Sequence, residues 1–193
     1  MPPTFVGGNP KERKMLLKIE RFFDKAMDIL GNILIVVLLL MILNVFYDVV
    51  MRYVFHHSNI AMEEMEWHLF AIVILFGTSY SLKESAHVRV DFLYERFSVK
   101  TKAIINIVGT LIFLMPFTLL IIYGSYEFVM DSYVVNETSS DPGGLKYLWV
   151  IKAMIPFSFI VLFLEAIGYI IKNINIYRGL EELPKDDPQG ALS

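Results

Sequence analysis

Four stretches of the chain are apolar over lengths that matter, and each is fenced by charge. Between Asp28 and Asp48 lie nineteen uncharged residues, Ile29 to Tyr47, close to the ~20 that a helix needs to cross a ~30 Å hydrocarbon layer. A second run, Trp67 to Leu82, has only sixteen, or roughly 24 Å at 1.5 Å per residue. It spans only if the helix begins near Ile60, with Glu63, Glu64 and Glu66 at headgroup depth. The third, Ala103 to Tyr126, has twenty-four residues, enough to tilt or to bend at Pro116. The fourth runs from Ala153 to Ile171 between Lys152 and Lys172, with Pro156 in its first turn, where proline is tolerated. The pattern predicts an all-α membrane protein of four transmembrane helices, over about 27–50, 60–82, 103–126 and 153–172.

Two flanking stretches have an amphipathic pattern. In 11–27, Met15, Ile19, Phe22, Phe23 and Met27 recur at helical spacing opposite Lys14, Lys18, Arg21 and Lys25. That is the pattern of a basic interfacial helix on an anionic leaflet, and equally of a cytoplasmic extension of the first span. After the second span, "HVRVDFLYERF" places Val90, Leu93, Tyr94 and Phe97 on one side, a second short surface helix with Arg89 and Asp91 as interfacial anchors. The expected organisation is a flexible N-terminus over 1–10, a single membrane domain over 11–178, and a polar, proline-broken, disordered tail over 179–193.

Composition agrees with the pattern: 55% hydrophobic residues and a mean hydropathy of +0.54 lie outside the range of soluble domains. The absence of cysteine excludes disulfides and thiolate chemistry. A net charge of -3 is unremarkable as a sum and points to no nucleic-acid partner, but its distribution sets an orientation. Fourteen Lys and Arg residues lie before the first span, in the 83–102 loop and in the tail, whereas the other two loops hold only Arg52, Lys146 and Lys152. Basic loops stay inside, so both termini are predicted cytoplasmic. The first span is too long for a signal-peptide core and no A-x-A-like site follows it, which reads as an uncleaved anchor.

Ionisable residues inside spans are the default places to look for function. The pattern offers His68 and Glu165. Glu165 sits seven residues before Lys172, roughly 10 Å along the axis, off the midplane. It reads as a polar contact between helices or as a proton-coupled carboxylate. His68 lacks a second histidine at matching depth for haem ligation, and no catalytic triad, phosphate loop or metal-ligand cluster is present. No enzyme activity, cofactor or metal is expected. Asn32, Asn44, Asn106, Ser79, Ser81 and Ser158, with Gly31, Gly77, Gly109, Gly124 and Gly168, are the residue types that helix packing in lipid uses.

The outer face carries eight acids against three bases between Asp48 and Lys152. There Asp141-Pro142-Gly143-Gly144 specifies a tight turn, leading into the interfacial aromatics Tyr147 and Trp149. Glu63 and Glu66 are three residues apart and repel across one helix face unless a cation neutralises them. Arg52 is the intramolecular candidate, and a basic patch on a partner is the external one. The alternative is that the glutamates cap the helix. Candidate partner or scaffold contacts are therefore Arg52, Glu63, Glu64, Glu66, Trp67, Asp141 and Trp149.

Four segments, "NVFYDVVMRYVF", "EEMEW", "HVRVDFL" and "SSDPGGLKYLWVIKAMIPFSF", occur in that order over about residues 15–172. In this the chain resembles the small membrane (DctQ-like) subunit of tripartite ATP-independent periplasmic, or TRAP, transporters. It departs from that pattern in lacking glycine near Ser85 or Ala86 and in having Lys146 where proline is expected. The resemblance implies a scaffold subunit in a bacterial inner membrane that binds no substrate itself. Its implied partners are a large DctM-like membrane subunit, a periplasmic DctP-like solute-binding protein and membrane lipids, in sodium-driven uptake of an organic acid. Two other readings stay open: a small proton-coupled exporter using Glu165, and a membrane assembly factor.

The charge count makes a topological prediction. A reporter fused after Ser193 is cytoplasmic and one inserted near Asn136 is outside. Cysteines at positions 58 and 138 labelled only from the cytoplasmic side would contradict it.

Overall fold

A computed structural model describes residues 10–84 and 97–179, with side chains from Met15 onward. The elements are α1 (Pro10–Tyr53), α2 (Ile60–Lys83), α3 (Val99–Gly109), a π-helical turn (Thr110–Leu114), α4 (Met115–Val134) and α5 (Trp149–Tyr177). Met15–Tyr53, Val99–Val134 and Trp149–Tyr177 are each long and apolar enough to cross a membrane. Helix α2 is not among these three. Its 24 residues, about 36 Å, begin at Ile60, where the glutamate-bearing extension was expected.

Of the two readings of 11–27, the helical extension of the first span is the one found: α1 runs unbroken for 44 residues, about 66 Å, so part of it stands outside a ~30 Å apolar layer. Two details differ from the sequence reading. First, Pro156 lies inside α5 rather than in its first turn, because the helix begins at Trp149, ahead of Lys152. Second, where the sequence allowed a tilt or a bend at Pro116, a π-helical turn lies just before the proline. Proline lacks an N–H and its ring crowds the carbonyl four residues back. In the widened turn Met115 N–H bonds to the Thr110 carbonyl instead, which moves the misfit ahead of the proline. The "HVRVDFL" segment, with Arg89 and Asp91, lies outside the described residues, as do 1–9 and 180–193.

Helix α5 packs against every other element, and α1 also packs on α2. It buries Ser158, Leu162, Glu165, Ala166, Gly168, Tyr169, Asn173, Asn175 and Ile176. Two glycines make the close approaches. A Cβ on Gly168 would lie 2.8 Å from Phe23 Cγ of α1, and one on Gly31 would lie 2.6 Å from the Tyr80 ring of α2. Among the described residues, Gly77, Gly109 and Gly124 have nothing within 4 Å at that position, so three of the five glycines expected at helix contacts make no close approach there.

The contrast is testable. Gly168→Ala should destabilise the bundle by about 1–3 kcal/mol, the usual cost of overpacking. Gly124→Ala should be neutral or stabilising by up to ~1 kcal/mol through helix propensity. Melting temperatures in one detergent would read both, and equal shifts would contradict the packing described here.

Candidate functional site

The conspicuous polar constellation lies where the 54–59 and 135–148 segments meet, the loop end of the bundle. Helix α2 starts there on Asn59, whose Oδ1 accepts the Ala61 N–H at 3.0 Å. The cap is thus supplied by Asn59, and Glu64 turns to the α4–α5 connection. Its Oε2 accepts the Leu145 N–H at 2.5 Å and its Oε1 accepts the Ser139 hydroxyl. Both carboxylate oxygens therefore hold one hairpin by charge-assisted hydrogen bonds, which are stronger than neutral ones.

That hairpin is shaped to present these donors. Gly144 N–H bonds to the Asp141 carbonyl at 3.0 Å, and Gly143 at the third turn position has φ +90°, the geometry of a type II turn with proline second. Ser139 N–H bonds to the Leu145 carbonyl at 2.9 Å, beside an isolated antiparallel bridge between Thr138 and Lys146. Ser139 Oγ also accepts the Asp141 N–H at 3.1 Å. A Cβ on Gly144 would fall 2.5 Å from Ser139 Cβ and 2.7 Å from Glu64 Oε1. Glycine is required at 144 by the close approach and favoured at 143 by the backbone.

Around this strap the other expected residues fall as follows. Arg52 bridges Asp48 at 2.6 Å and Glu63 at 3.1 Å, joining α1 to α2. Asn44 of α1 donates to the Met62 carbonyl at 2.9 Å. Glu66 lies in the field of Asp48, Arg52 and Glu63, with Oε1 enclosed and without a hydrogen-bond partner among the described residues. Trp67 projects outward, 68% exposed, edge-on to Phe70. Trp149 stacks edge-on to Tyr133 at 5.2 Å, tying α5 to α4. Asp141 contributes its carbonyl to the turn, and its residue is exposed. His68 is occupied within its own helix: Nδ1 lies 2.7 Å from the Glu64 carbonyl, which can only accept, so Nδ1 carries the proton.

The strap's second half is an ion pair that sequence reasoning missed, between Glu137 and Lys152 of α5. Lys152 also lies 4.2 Å from the centre of the Phe128 ring. Donation from the Lys152 ammonium holds the Glu137 carboxyl below its ordinary value.

At the opposite, terminal end, Lys83 of α2 pairs with Asp28 of α1 and with Glu84. Buried Asn175 of α5 donates to Glu20 of α1, and Asn106 of α3 donates to Asn173 Oδ1 at 2.8 Å. Glu165 is 3% exposed, among the charges of Asp24, Lys172 and Lys83. Of the expected basic anchors, Lys18, Arg21 and Lys25 lie on α1, and so does Lys14, whose side chain lies outside the described set. Among the described residues, no group of three His, Asp or Glu side chains is arranged to hold a metal ion.

Residues 41–175, from the middle of α1 through nearly all of α5 and so including the strap, match the family model for the DctQ component of tripartite ATP-independent periplasmic transporters. The chain belongs to this DctQ family. It is similar to two Haemophilus influenzae proteins named as TRAP transporter small permease proteins. One is 28% identical over 79% of this chain and 91% of the relative, and the other is 31% identical over 69% and 81%. The chain is thus a TRAP small permease subunit, a component of a tripartite transporter rather than a member of an enzyme family. The DctQ match begins inside α1, so the basic first turns of that helix lie outside it.

Two outcomes follow for this small permease. Glu64→Gln and Gly144→Ala should each lower the melting temperature and speed proteolysis in the 135–148 connection, whereas Asp141→Asn, which leaves the turn carbonyl in place, should do neither. The Glu137 pair adds a pH dependence. A carboxyl lowered on folding contributes stability above its ordinary range, about 4.3, and loses it as pH falls through the lowered folded value. The melting difference between wild type and Glu137→Gln should therefore be full at neutral pH and close below that range. A difference that widened on acidification would contradict the pairing.

Proposed function

We propose that this DctQ subunit is a static scaffold in sodium-driven, binding-protein-dependent uptake of an organic acid of the carboxylate or sulfonate type. In this reading α2 is the fourth span, with its three glutamates at the headgroup level, and both termini are cytoplasmic in a bacterial inner membrane. A large DctM-like subunit carries the substrate and moves against this chain, and a periplasmic DctP-like protein delivers it. The loop end, with Glu63, Glu64, Trp67, Asp141 and Trp149, then faces the periplasm, where it stabilises the large subunit and helps dock the binding protein.

The observation that supports this reading is the use of charge at both ends. Arg52 with Glu63, Glu64 with Ser139 and Leu145, and Lys83 with Asp28 each join two different elements of the same chain. Such ties suit a body that keeps its shape. The proton-coupled alternative rests on Glu165. Its Oε2 has no hydrogen-bond partner among the described residues, but the carboxylate is enclosed by the α1, α2 and α5 packing rather than placed on a path between two sides.

Reconstitution tests the assignment. Sodium-driven uptake should require all three components, with none from this chain alone, and Glu165→Gln should leave uptake by the assembled system within about twofold, a shift of ~0.4 kcal/mol on the tenfold-per-1.4 scale. Uptake by this chain alone, or its loss in Glu165→Gln with normal assembly, would favour the exporter.

A further inference from the structure

Of the asparagines expected at helix contacts, Asn44 and Asn106 find partners in this chain and Asn32 does not. Asn44 donates to the Met62 carbonyl of α2, and Asn106 donates to Asn173 of α5. Asn32 is exposed on α1, and its amide makes no hydrogen bond among the described residues. Around it Ile29, Ile33 and Val36 are exposed apolar side chains, on a helix long and apolar enough to cross a membrane. An amide against acyl chains has its donors and acceptor unmet, which is costly, and neighbouring helices relieve that cost with their own polar side chains.

Asn32 borders a groove of about 380 Å³ along the α1–α2 seam, whose lining includes Asp28, Ile35, Leu38, Val73 and Tyr80. Gly77 falls between Val73 and Tyr80 on one face of α2 by the helical repeat. A Cβ there would meet nothing within 4 Å among the described residues, so the seam is open over that glycine. At the terminal end of the groove Asp28 is paired with Lys83. Beyond it Lys25, Arg21 and Lys18 stand 7, 11 and 14 residues before Asn32, spacings that return to the same face of the helix. All three are exposed and make no ion pair among the described residues.

We propose that this groove is the docking seat for a spanning helix of the large membrane subunit, one that sets a hydroxyl or amide side chain against Asn32 and acidic residues opposite Lys25, Arg21 and Lys18. Two observations choose the occupant. An acyl chain can fill the apolar part of the groove but offers nothing to the amide. A second copy of this chain in the same membrane orientation, related by an axis along the membrane normal, would set each of the three cations against its own equivalent. The seat rests on the scaffold reading, in which this chain lies against a large subunit.

The test uses the full chain co-expressed with the large subunit of its transporter. A photo-crosslinking residue in place of Ile35 should join this chain to the large subunit. Asn32→Leu should leave the melting temperature of the small subunit unchanged, because the side chain is exposed. It should lower the amount of large subunit retained on the tagged small subunit by about three- to tenfold, the range for one hydrogen bond between spanning helices. Gly77→Leu, which fills the groove, should lower retention at least as far, and should its own melting temperature fall, Asn32→Leu and the crosslink decide the matter. Adducts from position 35 only with a second copy, or only with lipid, would overturn the proposal, and so would wild-type retention in Asn32→Leu. In each of those cases a wild-type complex that still forms leaves the scaffold reading standing. A wild-type chain that retains no large subunit would overturn both together.

Discussion

In lipid, burying an apolar side chain against another helix gains little, because the tails around it are equally apolar, so association depends on close packing and on polar groups that find partners. The consequence here is a bundle with its polarity turned inward. Its largest fully buried side chains are Asn173, Asn175, Thr118, Ser79, Ser132 and Ser158, while Ile33, Leu40, Leu43, Phe46 and Phe113 face outward. Asn106 to Asn173 and Asn175 to Glu20 join three helices. Ser125 and Thr118 instead bond back to carbonyls of their own helix. With α5 carrying Ser158, Asn173 and Asn175 and packing against every other element, the others are arranged around it.

The apolar contacts that remain refine this arrangement. Leu82, Leu162, Ala166 and Tyr169 form a small cluster at the α2–α5 contact, with Leu114, Met115 and Phe159 packed on it. Ring pairs Phe76 with Phe157 and Phe117 with Phe159 fix how α2 and α4 lie on α5. Where the backbones approach closest, glycine is needed, at Gly31 and Gly168. The ends are closed by ion pairs and by the Glu64 strap, which joins α2 to a hairpin more than seventy residues away. Together these give a family known for a transporter component a compact set of internal ties, which is the basis for assigning it a scaffold's part.

Much of the local structure was legible in the residues. Charge fences and apolar runs placed α2 at Ile60, and Asp141-Pro142-Gly143-Gly144 named its turn, because these depend on neighbours in sequence. Arg52 could be named as a partner for Glu63 because a short connection leaves few alternatives. What escaped was set by which faces meet. Nothing near Glu64 indicates Leu145, and nothing near Glu20 indicates Asn175, 155 residues on. The five glycines looked alike in sequence, yet only helix placement separates Gly31 and Gly168 from the rest. Pro116 was visible, but whether its misfit would become a kink or a π-helical turn depended on the register of the preceding carbonyls. Pro156 was misplaced because the aromatic Trp149 starts α5 ahead of Lys152, a boundary that charge alone does not mark.

The central claim is that this chain keeps its shape as one static body while the transporter works. Its most direct test is a pair of electron-spin distances in the assembled complex, one between labels at Ser58 and Asn136 across the loop end, the other between labels at Lys25 and Thr101 across the terminal end. Distributions that stay unchanged among resting, sodium-bound and substrate-turnover conditions are the predicted result. A sodium- or substrate-dependent shift of several ångströms in either pair would contradict it.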